Sequence, residues 1–335
     1  MNGIKLRGIK LLNNCAFLSG TSRADPVFVQ NVCSGLAAQE VNLAILTHIA
    51  DGDMGAGRTS LCMGASMVTT AFVCMKPGTG SDGSLQLEPE VGMVSIFPHE
   101  QRPDVMGRLV GVLAGEDIVP YAIASSPSAL SVLVPSTKSE SLTQNLFGPF
   151  EFPAWDTPRE WHAAYTGQEQ ILKEIICSYH EEIIKVYNIT SLPDLSFWRL
   201  SVGIEDLGGL GAALEDMQDL GLRIPFLIGH SAPEGQICFA LCLAGTDLQR
   251  AGRVFSDRLP KIDPACSERV AAFTMHGPHF GDRFGIAHAL IRSLRKAGIK
   301  PLAISCAMSS MSAIVGAADL DDSIEALRGN FDILS

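Results

Sequence analysis

The chain has 335 residues, of which 47% are hydrophobic and 18% charged, and its formal net charge is −11. That length and apolar content specify a folded protein of two or more compact units and exclude a disordered one. The acidic balance, with no run of lysine and arginine to offset it, excludes nucleic acid as the main partner, because phosphate binding needs a basic face.

The opening "MNGIKLRGIKLLNN" lacks an apolar run followed by a small-residue cleavage site. Further along, apolar stretches are broken well before the roughly 20 residues that span a bilayer. The expectation is a cytoplasmic protein that makes no membrane contact. Its nine cysteines are an odd number without a CxxC. They are read as scattered reduced thiols, Cys238 and Cys242 lying in a strand-like run, "ICFALCLAG".

In chain order, "VFVQNVCSGLAAQEVNLAIL" (27–46) reads as a helix stripe followed by a strand. "DGDMGAGRT" (51–59) is a long hairpin turn, since it lacks the acidic spacing and terminal Glu of a calcium loop. Gly78 to Gly83 fits GxGxxG, but it follows a helix and precedes a strand, so it is read as a loop and not a dinucleotide site. Val105, Leu109 and Leu113 recur every four residues, the stripe of an amphipathic helix, and lead into "IVPYAIASSPSALSVLV" from Ile118. Residues 155–195 differ from the rest. Thr157-Pro158-Arg159-Glu160 is a capping box, and Ile171, Leu172, Ile175, Ile176, Tyr179, Ile183 and Ile184 form one helical face.

The elements of the first half then return. "IKPLAISCAMSSMSAIV" from Ile299 matches the segment at Ile118, with an offset of 181 residues. Ile286, Leu290 and Leu294 lie over the stripe of Val105, Leu109 and Leu113 at that same offset. Residues 27–46 lie over "GGLGAALEDMQDLGLRIPFL" (208–227), and "LEPEVGMVSIF" (87–97) resembles "IDPACSERVAAF" (262–273). Four similar units in the order A-B-A′-B′ follow, at 8–88, 89–152, 196–262 and 263–335, with a helical linker at 153–195. Each unit reads strand-helix-strand-strand-helix-strand. This predicts an α+β fold of four ferredoxin-like βαββαβ units, antiparallel sheets with helices on one face. Pro120, Pro225 and Pro301 stand near the start of the second strand, which is an edge in that topology and tolerates proline.

Here the sequence resembles a family. "FGIAHALIRSLRKAGIKPLAISCAMSSMSAIV" with "DLDDSIEALRGNF" after it resembles ACT domains, and the fourfold repeat resembles a tandem duplication of the paired ACT regulatory region of aspartate kinases, without the kinase domain. The resemblance implies a small amino acid bound where a helix start meets a neighbouring unit's edge strand. The family's helix-opening glycine falls at Gly208 and Gly285, but at Val27 and Asp104 in the first half. A carboxylate would sit against the free N–H groups of the helix start, where glycine allows close approach. Asp104 would repel it. The implied ligand residues are Gly208, Gly209, Leu210, Ile228, His230, Gly285, Ile286, Ile304 and Ser305. Edge pairing within the chain is expected, A with A′ and B with B′, through residues 42–49, 118–126, 224–231 and 299–307, in a monomer or homodimer.

A catalytic set, a metal site and a cofactor motif are not expected. "HEEII" (180–184) is not HExxH, and for His276, His279 and His288, near the last unit's first loop, a metal or acid-base role lacks convergent partners; they read first as surface or capping residues, with His276 or His279 second as pocket-lining. The expected function is therefore that of a non-enzymatic regulatory sensor of a small amino acid, acting on a regulated enzyme. A ligand-free interaction subunit and an unrecognised enzyme remain open alternatives.

Overall fold

A computed structural model describes residues 3–22, 28–51, 56–75, 85–165, 184–232, 235–278, 280, 283–307 and 310–333. The GxGxxG loop at 78–83, residues 52–55, Val27, His279, "HEEI" at 180–183 and all of the expected apolar face except Ile184 lie outside the described residues.

In the first half the elements are β1 (Ile4–Lys5), β2 (Gly8–Ser22), α1 (Phe28–Ala38), β3 (Ile45–Asp51), β4 (Ala56–Gly64), α2 (Val68–Met75), β5 (Leu85–Phe97), α3 (Pro103–Gly115), β6 (Ala122–Ser125), β7 (Leu130–Pro135), α4 (Ser136–Leu146) and β8 (Phe150–Glu151). After α5 (Pro158–Tyr165) and β9 (Ile184–Val186) the second half repeats them. It comprises β10 (Asn188–Gly203), α6 (Leu207–Asp219), β11 (Phe226–Ser231), β12 (Gln236–Ala244), α7 (Leu248–Arg258), β13 (Ala265–His276), α8 (Ile286–Lys296), β14 (Ala303–Ala307), β15 (Ser310–Gly316), α9 (Leu320–Arg328) and β16 (Phe331–Ile333). The capping box at Thr157 is formed: Thr157 Oγ1 accepts from the Glu160 amide at 3.2 Å, and Glu160 accepts from the Asp156 amide at 3.0 Å. Part of the stretch assigned to the linker is strand: β9 pairs with β16, and the start of β10, from Asn188 to Leu195, pairs with β13.

The chain is a mixed α+β protein with a large antiparallel sheet. Twelve strands close in the order β10-β12-β11-β6-β7-β5-β2-β4-β3-β14-β15-β13. Four long strands bend at register breaks: between Leu12 and Cys15 of β2, opposite Gly92 of β5; at Pro89-Glu90 of β5, opposite Ala16; between Leu192 and Leu195 of β10; and at Glu268-Arg269 of β13. Asn14, Asp194 and Arg269 take positive φ at or beside these breaks, 57°, 56° and 56°, as β-bulges that re-aim a strand require. The bends split the closed sheet into two layers. One runs β5-β2-β4-β3-β14-β15-β13-β10 and the other β2-β5-β7-β6-β11-β12-β10-β13, each bent strand serving both. The border expected at 88/89 thus falls inside β5, and the start of β2 completes the sheet that β5, β7 and β6 begin.

Helices cover the outer faces and form two cores. Leu109, Leu113, Leu210, Leu214 and Phe255 pack on one layer, and Val32, Leu36, Leu290, Leu294 and Phe273 on the other. The inner faces meet through two smaller clusters, around Phe197, Phe226 and Ile228 and around Phe17, Ile45 and Leu133.

Edge pairing occurs within the chain, but between other partners than expected. β3 pairs with β14 and β11 pairs with β6, where β3 with β11 and β6 with β14 were expected. Side-chain size accounts for the choice. The inner faces of β3 and β11 carry Ile45, Thr47 and Ile49, and Phe226, Ile228 and His230; those of β6 and β14 carry Ala122 and Ala124, and Ala303, Ser305 and Ala307. Large edges lie against small ones: Ile49 opposite Ala303, Ile45 opposite Ala307, Ile228 opposite Ala124. Pairing A with A′ would have overpacked one seam and left the other hollow, and both errors destabilise.

Candidate functional site

The start of α8 lines a small cleft. Gly285 caps α8 with φ of 84°, a left-handed conformation that favours glycine. Its carbonyl accepts from the Ala289 amide at 2.9 Å, and the amides of the first turn face the cleft with the positive end of the helix dipole behind them. Gly285, Ile286 and His288 form one wall with Phe280 and Arg283; Cys33, Leu36 and Ala37 of α1 form the other, with Cys306 of β14 at the base. The cleft therefore lies at the β3–β14 seam, on the helix side. Its volume is about 20 Å³, room for one water. Burial pushes the Cys33 thiol up to about 12, with Cys306 adding to it, and the Cys306 thiol also to about 12. His288 has a buried Nδ1 without a hydrogen-bond partner among the described residues, and burial, with Arg292 nearby, holds its pKa below the usual value.

The structure divides the residues expected to bind a ligand. Gly285 and Ile286 line the cleft. Ile304 lies in the same helix-side core, whereas Ser305 points inward and its neighbour Cys306 reaches the cleft. Gly208, Gly209 and Leu210 open α6, where packing is tight. A β-carbon at Gly209 would come within 2.9 Å of the Arg258 carbonyl and one at Gly208 within 3.9 Å of Ala114, while Leu210 is fully buried. Ile228 and His230 face the interior between the layers, across the sheet from that helix start. In the first half Asp104 is ion-paired with Arg102 at 2.5 Å, so the charge set against a ligand there is partly cancelled. Of the two histidines expected at a pocket, His276 ends β13 partly buried and His279 is not described; the histidine that lines the cleft is His288. Sequence reasoning missed Cys33, Ala37 and Cys306. The alternation of β14 signals Cys306, and α1 enters only once β3 is paired with β14.

Among the described residues no group of three or more His, Cys, Asp or Glu could hold a metal ion. Among these residues, too, no helix is long and apolar enough to cross a membrane. The eight described cysteines are free thiols.

No family model matches the chain, and no curated protein matches it by sequence. Among solved structures, 98% of the chain superposes on an aspartate kinase from Synechocystis with a TM-score of 0.77 at 13% identity, and it spans 56% of that chain. Regulatory subunits of aspartate kinase from Thermus flavus and Thermus thermophilus are similar over 42% and 45% of this chain and 95% and 99% of theirs, at 19% and 15% identity and TM-scores of 0.38 and 0.39. The structural neighbours are thus aspartate kinases and their regulatory subunits. This corrects the expectation of a non-catalytic sensor and of a chain that is not an enzyme: the fold of almost the whole chain recurs in a catalytic enzyme. The expectation rested on motifs missing from this sequence, which say nothing about the assembly in which the fold is used.

Proposed function

We propose that the chain comprises four ferredoxin-like ACT units and works within an aspartate kinase-type enzyme, with a small amino acid as effector at the β3–β14 seam. The observation that carries this is the likeness of 98% of the chain to an aspartate kinase. The strand orders support the unit assignment. β5-β2-β4-β3, β2-β5-β7-β6, β13-β10-β12-β11 and β10-β13-β15-β14 each put the strand after the first helix at the edge. Phosphorylation of aspartate belongs to the whole enzyme, of which the chain matches 56%, and a cytoplasmic location goes with that activity.

The cleft at Gly285 supports the effector. Its first-turn amides suit a carboxylate, and Arg283 is among the residues that line it. A cleft the size of one water must open to admit an amino acid. The effector then has a different affinity for the closed and open forms, the condition for shifting an equilibrium.

Two readouts test the proposal: thermal unfolding against each common amino acid at millimolar concentration, and aspartate-dependent ATP turnover with and without the amino acid that raises the midpoint. An effector at 100 times its Kd adds about 2.7 kcal/mol of stability. Ala37→Leu, which narrows the cleft without touching the left-handed Gly285, should abolish the shift. A panel without any shift overturns the effector, and an absence of aspartate-dependent turnover overturns the enzyme reading.

A further inference from the structure

A second polar cluster lies between the two layers, apart from the cleft. Thr47 of β3, Ser60 of β4 and Ser19 of β2 stand opposite one another in register. All three are fully buried, on the inner face by strand alternation. None of their hydroxyls has a hydrogen-bond partner among the described residues. One step along β4, on the same face, Arg58 stands opposite Ile49 and Thr21. It is half-buried, and among the described residues no carboxylate pairs with it. From the opposite layer His230 of β11 points inward, opposite Cys238 and Ala122. It is 2% exposed and its Nδ1 is also without a partner.

Buried polar side chains are nearly always hydrogen-bonded, and an arginine drawn inside without an acid keeps its charge uncompensated. Four orphaned polar groups and one uncompensated cation face a common interior. Burial and the Arg58 charge both hold His230 neutral, with its pKa down to about 3, and the Cys238 thiol is also within range of Arg58. The missing complement is one negative charge with several acceptor atoms. The side chains around it are small, Ser19, Ser60, Ala122 and Ala124, so the complement has few heavy atoms.

We propose that this interior is a binding site for a small oxyanion, a carboxylate or phosphate-type group, held by the Arg58 guanidinium and by His230, Thr47 and Ser60. The site is distinct from the effector cleft and does not depend on it.

The test is calorimetric titration of the full chain with inorganic phosphate and, separately, with acetate. Binding of at least one is expected, and which one binds separates the two sources of the charge. Arg58→Gln should weaken it at least tenfold, Arg58→Lys should retain part of it, and Ala37→Leu in the effector cleft should leave it unchanged. The His230 ring resonance reports independently. Bound anion favours the imidazolium, so the ring should titrate at higher pH with the probe than without it. No binding of either probe, or equal affinity in Arg58→Gln, overturns the site. Should Arg58→Gln fail to fold, the loss or persistence of the His230 shift in Arg58→Lys decides.

Discussion

Ser305 Oγ donates to the main-chain carbonyl of Ser125 at 3.2 Å, tying β14 in one layer to β6 in the other. Ser125 Oγ in turn accepts from the Leu227 amide at 2.8 Å across the second seam. The two seams are thus joined at the centre of the molecule by one short hydrogen-bonded path. Removing the Ser305 hydroxyl leaves the Ser125 carbonyl with one partner fewer in a buried place. Ser305→Ala should therefore cost about 0.5–1.5 kcal/mol in urea unfolding. An unchanged midpoint would mean that the layers are held by side-chain packing alone.

The large-against-small matching of the seams gives a sharper test. Ala303 sits opposite Ile49 and Ile314, fully buried. Ala303→Leu adds volume where Ile49 already fills the space, and overpacking of this kind costs about 1–3 kcal/mol. Pairing it with Ile49→Ala should recover much of the loss, because residues in contact do not add independently. A double variant no better than the sum of its parts would refute the size argument.

Much of this was legible in the sequence. Repetition at one offset pointed to the order of strands and helices, because the second half of the chain returns the apolar stripes of the first. The four edge strands were also located, but their partners were not. The information was present in "AISCA" and "AIAS" against "ILTHIAD" and "FLIGHS", small inner faces against large ones, but repeat symmetry suggested like with like. The cleft was half legible. Gly285 was marked by its place before an apolar stripe, whereas Cys33 and Ala37 could only be found once α1 was known to pack beside α8. Gly208 looked equivalent on the same grounds, yet Arg258 and Leu259 crowd Gly209 beside it, a tertiary contact that spacing does not record.

Two glycines in one helix should respond with opposite signs. At Gly107 a β-carbon would come within 2.5 Å of the Gly211 carbonyl, where α3 crosses α6; at Gly111 it would meet nothing within 4 Å. Alanine favours the helix over glycine by about 1 kcal/mol. Gly111→Ala should therefore stabilise by about 0.5–1 kcal/mol. At Gly107 the clash opposes that gain with a cost of about 1–3 kcal/mol, and the helices must separate. Gly107→Ala should be net destabilising in urea titrations. Stabilisation at both positions would show that the crossing is looser than drawn.

Acid should weaken the fold through two histidines. Burial holds His48 down to about 4, its Nδ1 bonded to Thr59 Oγ1 at 3.0 Å, and burial with the Arg58 and His48 charges holds His230 down to about 3. In the unfolded chain each protonates near 6.5. The unfolded state thus binds more protons between the two values. The stability each neutral ring contributes is complete above about pH 6.5 and is lost as pH falls toward 4 and 3. The slope approaches about 1.4 kcal/mol per pH unit for each histidine. Urea midpoints measured from pH 7 to pH 5 should fall, and His48→Gln, which keeps a partner for Thr59, should flatten the decline. An identical slope in the variant would remove His48 from the account.

Thiol chemistry reports on whether the effector cleft opens. Cys33 and Cys306 line it, both pushed up to about 12 by burial. The thiolate is the reactive form, so at pH 8 in the closed protein both should resist iodoacetamide. Exposed Cys266, raised only to about 11 by burial and Glu268, should react before either of them, as peptide mass spectrometry would show. An amino acid that opens the cleft and then fills it should leave Cys33 and Cys306 protected. Brief opening without ligand should label them slowly, at a rate the amino acid suppresses. Rapid labelling of both in the free protein, unaffected by any amino acid, would mean that the cleft stands open in solution and that its closure carries no signal.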